Sequence, residues 1–103
     1  MIGRRVENFD AIERAGDYWL SANVDATGER SIWFLLPVHN GVDRRDRSRR
    51  GNGLHRVSEP TWTFRECPDG SIEIRASIAC GRQDPGGEYW HGYLNEGHEW
   101  TTC

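Results

Sequence analysis

The sequence predicts a small, mainly β domain. Antiparallel hairpins close it as a twisted sheet, a sandwich or an open barrel, with a short N-terminal helix. Three observations carry this. Short apolar or alternating runs come in pairs. Each pair flanks a tight stretch with Gly where a turn needs φ > 0. The bulk of the core is aromatic: five Trp, three Tyr and three Phe in a chain only 36% hydrophobic. At 103 residues the chain makes one domain, 1–103, with a modest core.

Residues 1–17 are polar, with a weak helical period at Val6, Phe9 and Ile12 or Glu13. One or two helical turns are expected at 8–14, with Asn8 as N-cap. YWLSANV (18–24) and SIWFLLP (31–37) then flank Asp25-Ala26-Thr27-Gly28. A three-residue loop there pairs Leu20 with Phe34 and Tyr18 with Leu36 on one face, leaving Trp19, Ser21, Trp33 and Leu35 on the other. SIWFLLP is apolar on both sides, which marks a central strand. Residues 39–60 are polar, Gly-punctuated and long for a connection, and read as an Arg-rich mobile loop.

TWTFRE (61–66) and SIEIRASIAC (71–80) flank Cys67-Pro68-Asp69-Gly70, the residues of a type I turn followed by a left-handed one. This register pairs Glu66 with Ile72, Phe64 with Ile74 and Trp62 with Ala76. On the reverse face it pairs Arg65 with Glu73 and Thr63 with Arg75. Apolar meets apolar and opposite charges meet, and a one-residue slip would lose both. Ile72, Ile74, Ala76, Ile78 and Cys80 are thereby expected in the core, and Cys67 on the solvent side. After the loop GRQDPGG comes YWHGYLNEGHEW (89–100), a hairpin turning near Asn95-Glu96-Gly97.

That last stretch is dense enough in His, Trp and Glu to suggest a metal site. With a three-residue loop Leu94 pairs with His98, and His91 lies on the opposite face from His98. With a two-residue loop both share a face but stand about four residues apart, ~13 Å at ~3.3 Å per residue. Zinc requires its ligand atoms at roughly 2.0–2.3 Å from one ion. Neither register lets the two histidines share a metal, and no bound metal or cofactor is expected. The three-residue register does bring His91 and Cys103 together diagonally, with His39 as a candidate third ligand. No catalytic residues are assigned. Cys67 has acidic neighbours Glu66 and Asp69, which oppose a thiolate, and no carboxylate pair emerges. The chain is read as a non-enzyme.

Charge separates two further readings. The net charge of −3 gives no global attraction to nucleic acid or anionic membrane. The run DRRDRSRRGNGLHR (43–56) holds six Arg against two Asp, a formal +4 that leaves −7 for the remainder. Arg44, Arg45, Arg47, Arg49, Arg50 and Arg56 are therefore candidate nucleic-acid contacts. Against this, Asp43 and Asp46 blunt the field, and no aromatic interleaves the arginines. Every basic residue apart from histidine is Arg, none Lys. GC-rich coding accounts for this, and avoidance of lysine-directed degradation is the sharper alternative. Three cysteines without CxxC spacing suit a reducing compartment. The longest apolar run, Ile32 to Val38, is too short to cross a bilayer, and MIGRRVENFD does not read as a signal peptide.

Two segments, TWTFRECPDGSIEIRASIAC (61–80) and EYWHGYLNEGHEW (88–100), carry a resemblance. In order and content they resemble small uncharacterised proteins of actinobacterial phages. These have an aromatic strand, a turn, a strand with Ser-Ile near its end and a Trp-His-Gly hairpin. The chain also resembles, more distantly, a phage domain of unknown function with a Cys-His-Ser hairpin and a later Cys-x-His. Here Trp90 replaces the first cysteine and no histidine follows Cys103, so only His91 and Cys103 map. The resemblance implies a phage-encoded accessory protein in the host cytoplasm or the virion. Its expected mode is non-enzymatic binding of a host or phage protein. Nucleic-acid binding is the first alternative and a small metal-dependent hydrolase the second. Because aromatics occupy both faces of the first hairpin, a surface patch of Trp19, Trp33 or Trp90, with Tyr89 or Tyr93, is the expected partner site.

Overall fold

The run SIWFLLP is apolar on both sides because two clusters share it. In the computed structural model, which describes residues 1–21, 29–37, 54–80 and 90–103, it forms β3 (Ser31–Leu35) at the centre of a sheet. Ile32, Phe34 and Leu36 point into the main core, and Leu35 points into a smaller cluster on the reverse side. The other strands are β1 (Arg4–Arg5), β2 (Asp17–Ser21), β4 (Leu54–Ser58), β5 (Thr63–Glu66), β6 (Ile72–Cys80), β7 (Trp90–Asn95) and β8 (Glu99–Thr102). They form two four-stranded sheets, β1-β2-β3-β4 and β5-β6-β7-β8. One cluster joins the inner faces of both: Tyr18, Ile32, Phe34, Leu36 and Val57 from the first sheet meet Phe64, Ile72, Ile74, Ile78, Trp90, Leu94 and Trp100 from the second. Two sheets that bury one core between their inner faces make a sandwich. Among the described residues no helix is long and apolar enough to cross a membrane.

The β5–β6 hairpin has the register its turn chemistry dictates, with Phe64 opposite Ile74 and Arg65 opposite Glu73. Gly70 sits at φ +85°, and its N–H donates to the Cys67 carbonyl at 3.0 Å. The ladder ends at Thr63–Arg75, short of the Trp62–Ala76 pair. Trp62 instead packs against the core edge and donates from Nε1 to the Ser77 carbonyl. Ala76 is exposed rather than buried, because the β6–β7 ladder shifts by two residues between Ile74 and Ile78. Cys67 is buried, not on the solvent side. The β7–β8 turn folds over that end of the sheet, where the Gly97 N–H donates to Ser71 Oγ. The side chain of Cys80 lies outside the described residues.

The other two hairpins depart from the expected registers by two residues. Tyr18 pairs with Phe34 and Leu20 with Ile32, not with Leu36 and Phe34. Leu94 pairs with Trp100 and Asn95 with Glu99, around a loop of Glu96-Gly97-His98. Two residues is one pleat period, so each side chain keeps its expected face. Part of the region read as a mobile loop is ordered: Leu54–Ser58 forms β4 and pairs along all of β3. The remainder of that loop, 39–53, and the 25–28 turn lie outside the described residues.

The expected helix at 8–14 contracts to a single 3-10 turn, Phe9–Ala11. Asn8 does cap it, accepting from the Ala11 N–H at 2.9 Å. Helix growth stops because Asp17 takes the next two donors, the N–H groups of Glu13 and Arg14, at 3.0 Å each. The chain leaves extended at Ile12, whose side chain is fully buried against Val6 and Leu35.

Residues 1–6 join the two sheets. The Gly3 N–H donates to the His98 carbonyl (2.7 Å), and the Met1 carbonyl accepts from the Trp100 N–H (2.8 Å). With the opposite parity, the Arg4 N–H donates to Gly16 (3.4 Å) and the Val6 N–H to Tyr18 (2.8 Å). One extended segment therefore bonds to β8 on one side and to β2 on the other. The approach is close: a Cβ at Gly3 would stand 2.3 Å from the Gly16 carbonyl and 2.5 Å from Trp100 Nε1. That indole donates to the same Gly16 carbonyl at 2.9 Å.

Candidate partner-binding surface

The outer face of the first sheet carries a row of side chains contributed by three strands and the 3-10 turn. Trp19 and Trp33 are cross-strand neighbours. Phe9 meets both edge-on, with ring centroids 6.3 and 5.5 Å away. Arg56, opposite Trp33 on β4, lays its guanidinium 5.4 Å from the indole centroid. Both indoles are partly exposed, and Arg56 is exposed. A cleft of about 440 Å³ opens beside Trp19, lined also by Arg5, Val6, Glu7, Leu20 and Gly70. Apolar ring area and an exposed guanidinium thus adjoin, with a concavity beside Trp19.

The remaining aromatics expected at this patch are elsewhere. Trp90 is 2% exposed. It packs edge-on against Trp100 and donates to Thr102 Oγ1, so it belongs to the core. Tyr93 projects from the outer face of the second sheet, beneath Arg75 at 5.0 Å, away from Trp19 and Trp33. Tyr89 lies outside the described residues. So do Arg44, Arg45, Arg47, Arg49 and Arg50. Of the six arginines Arg56 alone is described, and it does have the aromatic partner that the linear sequence lacked. That signal was readable only once β4 was recognised, because Trp33 and Arg56 are far apart in the chain.

His91 and Cys103 are brought together more directly than expected. The shifted register makes them opposite neighbours, and the Cys103 N–H donates to the His91 carbonyl at 2.9 Å. His39 lies outside the described residues. His98 occupies the turn at φ 59°, and its Nδ1 lies 2.5 Å from the hydroxyl of Tyr18. Burial pushes that phenol up to about 12.

A different trio gathers where the two turns of the second sheet meet. The Cys67 Sγ and one carboxylate oxygen each of Asp69 and Glu96 lie within 4.8 Å of one another. The geometry is that of turn closure. Asp69 Oδ1 accepts from the Ser71 hydroxyl (2.5 Å) and from its N–H (2.9 Å), which holds this carboxyl below its usual range. Nearby, Arg65 pairs with Glu73 at 3.0 Å, lowering the carboxyl and raising the guanidinium. Sequence reasoning missed the trio because it placed Cys67 on the outer face.

No family model matches the chain, and comparison with curated proteins and with solved structures finds no match. The site is therefore argued on its own geometry.

Proposed function

We propose that the chain is a non-enzymatic protein-binding domain whose partner docks on the outer face of the first sheet. The observation that carries this reading is the row Trp19–Trp33–Arg56, which sets two partly exposed indoles beside an exposed guanidinium. Trp and Arg dominate binding hot spots because each combines large buried area with a directional polar group. On the strength of the resemblance of 61–80 and 88–100, the setting we propose is a phage accessory protein. It would meet a host factor or virion component in the host cytoplasm or on the particle. The Arg56–Trp33 stack also suits a nucleic base, which keeps nucleic-acid binding as a second reading.

Affinity capture from expressing host cells, run in parallel with wild type and Trp33→Ala, tests the proposal. A protein retained by wild type and lost with the variant, while the variant is still folded at the temperature of the capture, is the expected result. Retention of the same proteins by both removes this face from the function. Salt-dependent binding of mixed oligonucleotides, with no protein partner, would select the second reading.

A further inference from the structure

The sandwich has two seams where its sheets could meet edge to edge. At one, residues 1–6 bridge β8 and β2. At the other, β4 and β5 are the outermost strands of their sheets, joined by the turn through Glu59–Trp62. The Trp62 N–H donates to the Ser58 carbonyl at 3.2 Å. Beyond that bond no ladder joins β4 to β5, and no other strand flanks β4 among the described residues.

The direction of each backbone group on β4 follows from its inner ladder. The Glu59 N–H donates to the Arg30 carbonyl (3.0 Å), so His55 and Val57, in step with Glu59, turn their N–H and C=O groups towards β3. Leu54 and Arg56 turn theirs outwards. An edge that presents unpaired donors and acceptors is a template for one more strand. Natural edges are blunted by inward charges, proline or bulges, and LHRVS has no proline and sends its one full charge outwards.

Charge selects the occupant. β4 contains no acid, and the nearest one in sequence, Glu59, is engaged by Arg30. Arg56 lies over an indole face and has no carboxylate partner among the described residues, and its N–H fork suits a carboxylate. A second copy of this chain is the poorer occupant, because pairing β4 with itself along its whole length sets Arg56 opposite Arg56. Resting on the protein-binding reading above, we propose that the outward edge of β4, where the backbone groups of Leu54 and Arg56 have no strand partner among the described residues, takes an extended acidic segment of a partner protein as an added strand. A partner carboxylate stands opposite Arg56. The added strand extends the sheet whose outer face carries Trp33, so edge and face form one site.

The probe is a ten-residue synthetic peptide of alternating Val and Thr with one central Glu. Two controls accompany it: the same peptide with Lys for Glu, and a version N-methylated on every second amide. The Glu peptide is expected to bind. On binding, amide exchange at Leu54 and Arg56 should slow at least tenfold while that of the β8 amides is unchanged. The Lys and N-methylated peptides are expected to bind at least tenfold more weakly. Arg56→Glu should reverse the preference between Glu and Lys. Arg56→Gln, which keeps a polar side chain able to cover Trp33, should equalise the two and serves if the Glu variant is unstable. Equal binding of Glu and Lys peptides to wild type, full binding of the N-methylated peptide, or no binding by any peptide overturns the strand-addition proposal. If the peptides fail but Trp33→Ala still releases a captured protein, docking on the face stands and the edge does not. If the peptides bind but Trp33→Ala releases nothing, the edge stands alone.

Discussion

The two seams of this sandwich solve the same geometric problem in opposite ways. At the β8–β2 seam both sheet edges are satisfied by one strand, residues 1–6, that changes partner halfway along its length. At the β4–β5 seam the chain simply turns the corner. Side chains hold it there: Arg30 pairs with Glu59 and lies 5.9 Å from the Phe64 ring centroid, and the hydroxyls of Ser31 and Ser58 meet at 2.7 Å. Backbone closure demands a residue with no side chain, which is why Gly3 stands where a Cβ has no room. Side-chain closure makes no such demand and, among the described residues, leaves the outward groups of Leu54 and Arg56 without a strand partner. The first arrangement suits a structural joint and the second an interface.

Perturbations of the two seams should therefore differ in size. The largest effect is expected from Gly3→Val. Its added carbons collide with backbone at Gly16 and with the Trp100 indole, so the strand must leave or both sheets must part. A loss of about 3 kcal/mol in urea unfolding, with faster amide exchange along β8 and β2, is the outcome that fits. A variant as stable as wild type would show that the joint is not held by close approach.

Next comes Tyr18, on the closed side. Its phenol is raised to about 12, against roughly 10 in an unfolded chain, so the folded state holds the proton more tightly. That stability is fully present below pH ~10 and disappears as pH rises towards 12, a contribution on the order of 2 kcal/mol. Tyr18→Phe should flatten this alkaline limb and cost about 1 kcal/mol at neutral pH through the lost bond to His98. An unchanged alkaline limb in the variant would assign the transition to another group.

Gly70→Val, at a glycine whose carbonyl accepts from Arg5, tests a turn rather than a joint. Nothing lies within 4 Å of the added Cβ, so only strain at φ +85° opposes it, and roughly 1 kcal/mol or somewhat more is expected. A loss as large as that of Gly3→Val would mean that backbone strain at a turn costs as much as the collision at Gly3. The smallest effect belongs to the exposed Arg65–Glu73 pair. Glu73→Gln should leave the neutral-pH midpoint almost unmoved. Because the Glu73 carboxyl is lowered, the pair's slight support is present above the ordinary carboxylate range and fades on acidification. The variant should thus be marginally less sensitive to acid than wild type, as a urea midpoint series from pH 6 to 3 would record.

Much of this fold is legible in the chain, and the misses have a common cause. The β5–β6 register was readable because Pro68-Asp69-Gly70 specifies both the turn type and the length of its loop. The other hairpins have loops whose length their residues do not fix. There the register slipped, yet by one pleat period, so the inward faces of Tyr18, Leu20, Ile32, Phe34 and Leu94 survived the error. β1 and β4 were not read at all. Arg4–Arg5 is a strand by virtue of its neighbours, not its side chains. LHRVS is too short for its alternation to stand out beside a run of arginines. The candidate site suffered most. Trp19 and Trp33 were separable from the core by parity. Their continuation to Arg56 depends on β4, and Trp90 was mistaken for surface because the pattern of its hairpin leaves open which aromatic face is covered. Cys67 illustrates the limit of alternation: at a turn, burial depends on what folds over the end of the sheet.

The joint made by residues 1–6 also has a consequence in time. It binds the beginning of the domain to its end, with the Met1 carbonyl bonded to the Trp100 N–H. Contacts of such sequence separation bear the greatest loop-closure entropy and come late in assembly. On the ribosome the strand can pair early along the half that bonds to β2, whereas the half around Met1 and Gly3 must wait until β8 has been made. That delay gives a use to its polarity, since Arg4, Arg5 and Glu7 keep a waiting edge soluble where a run of valines would seek other edges. It also means that substitutions at Met1–Gly3 should act chiefly on the rate of unfolding, because bonds of such sequence separation form late.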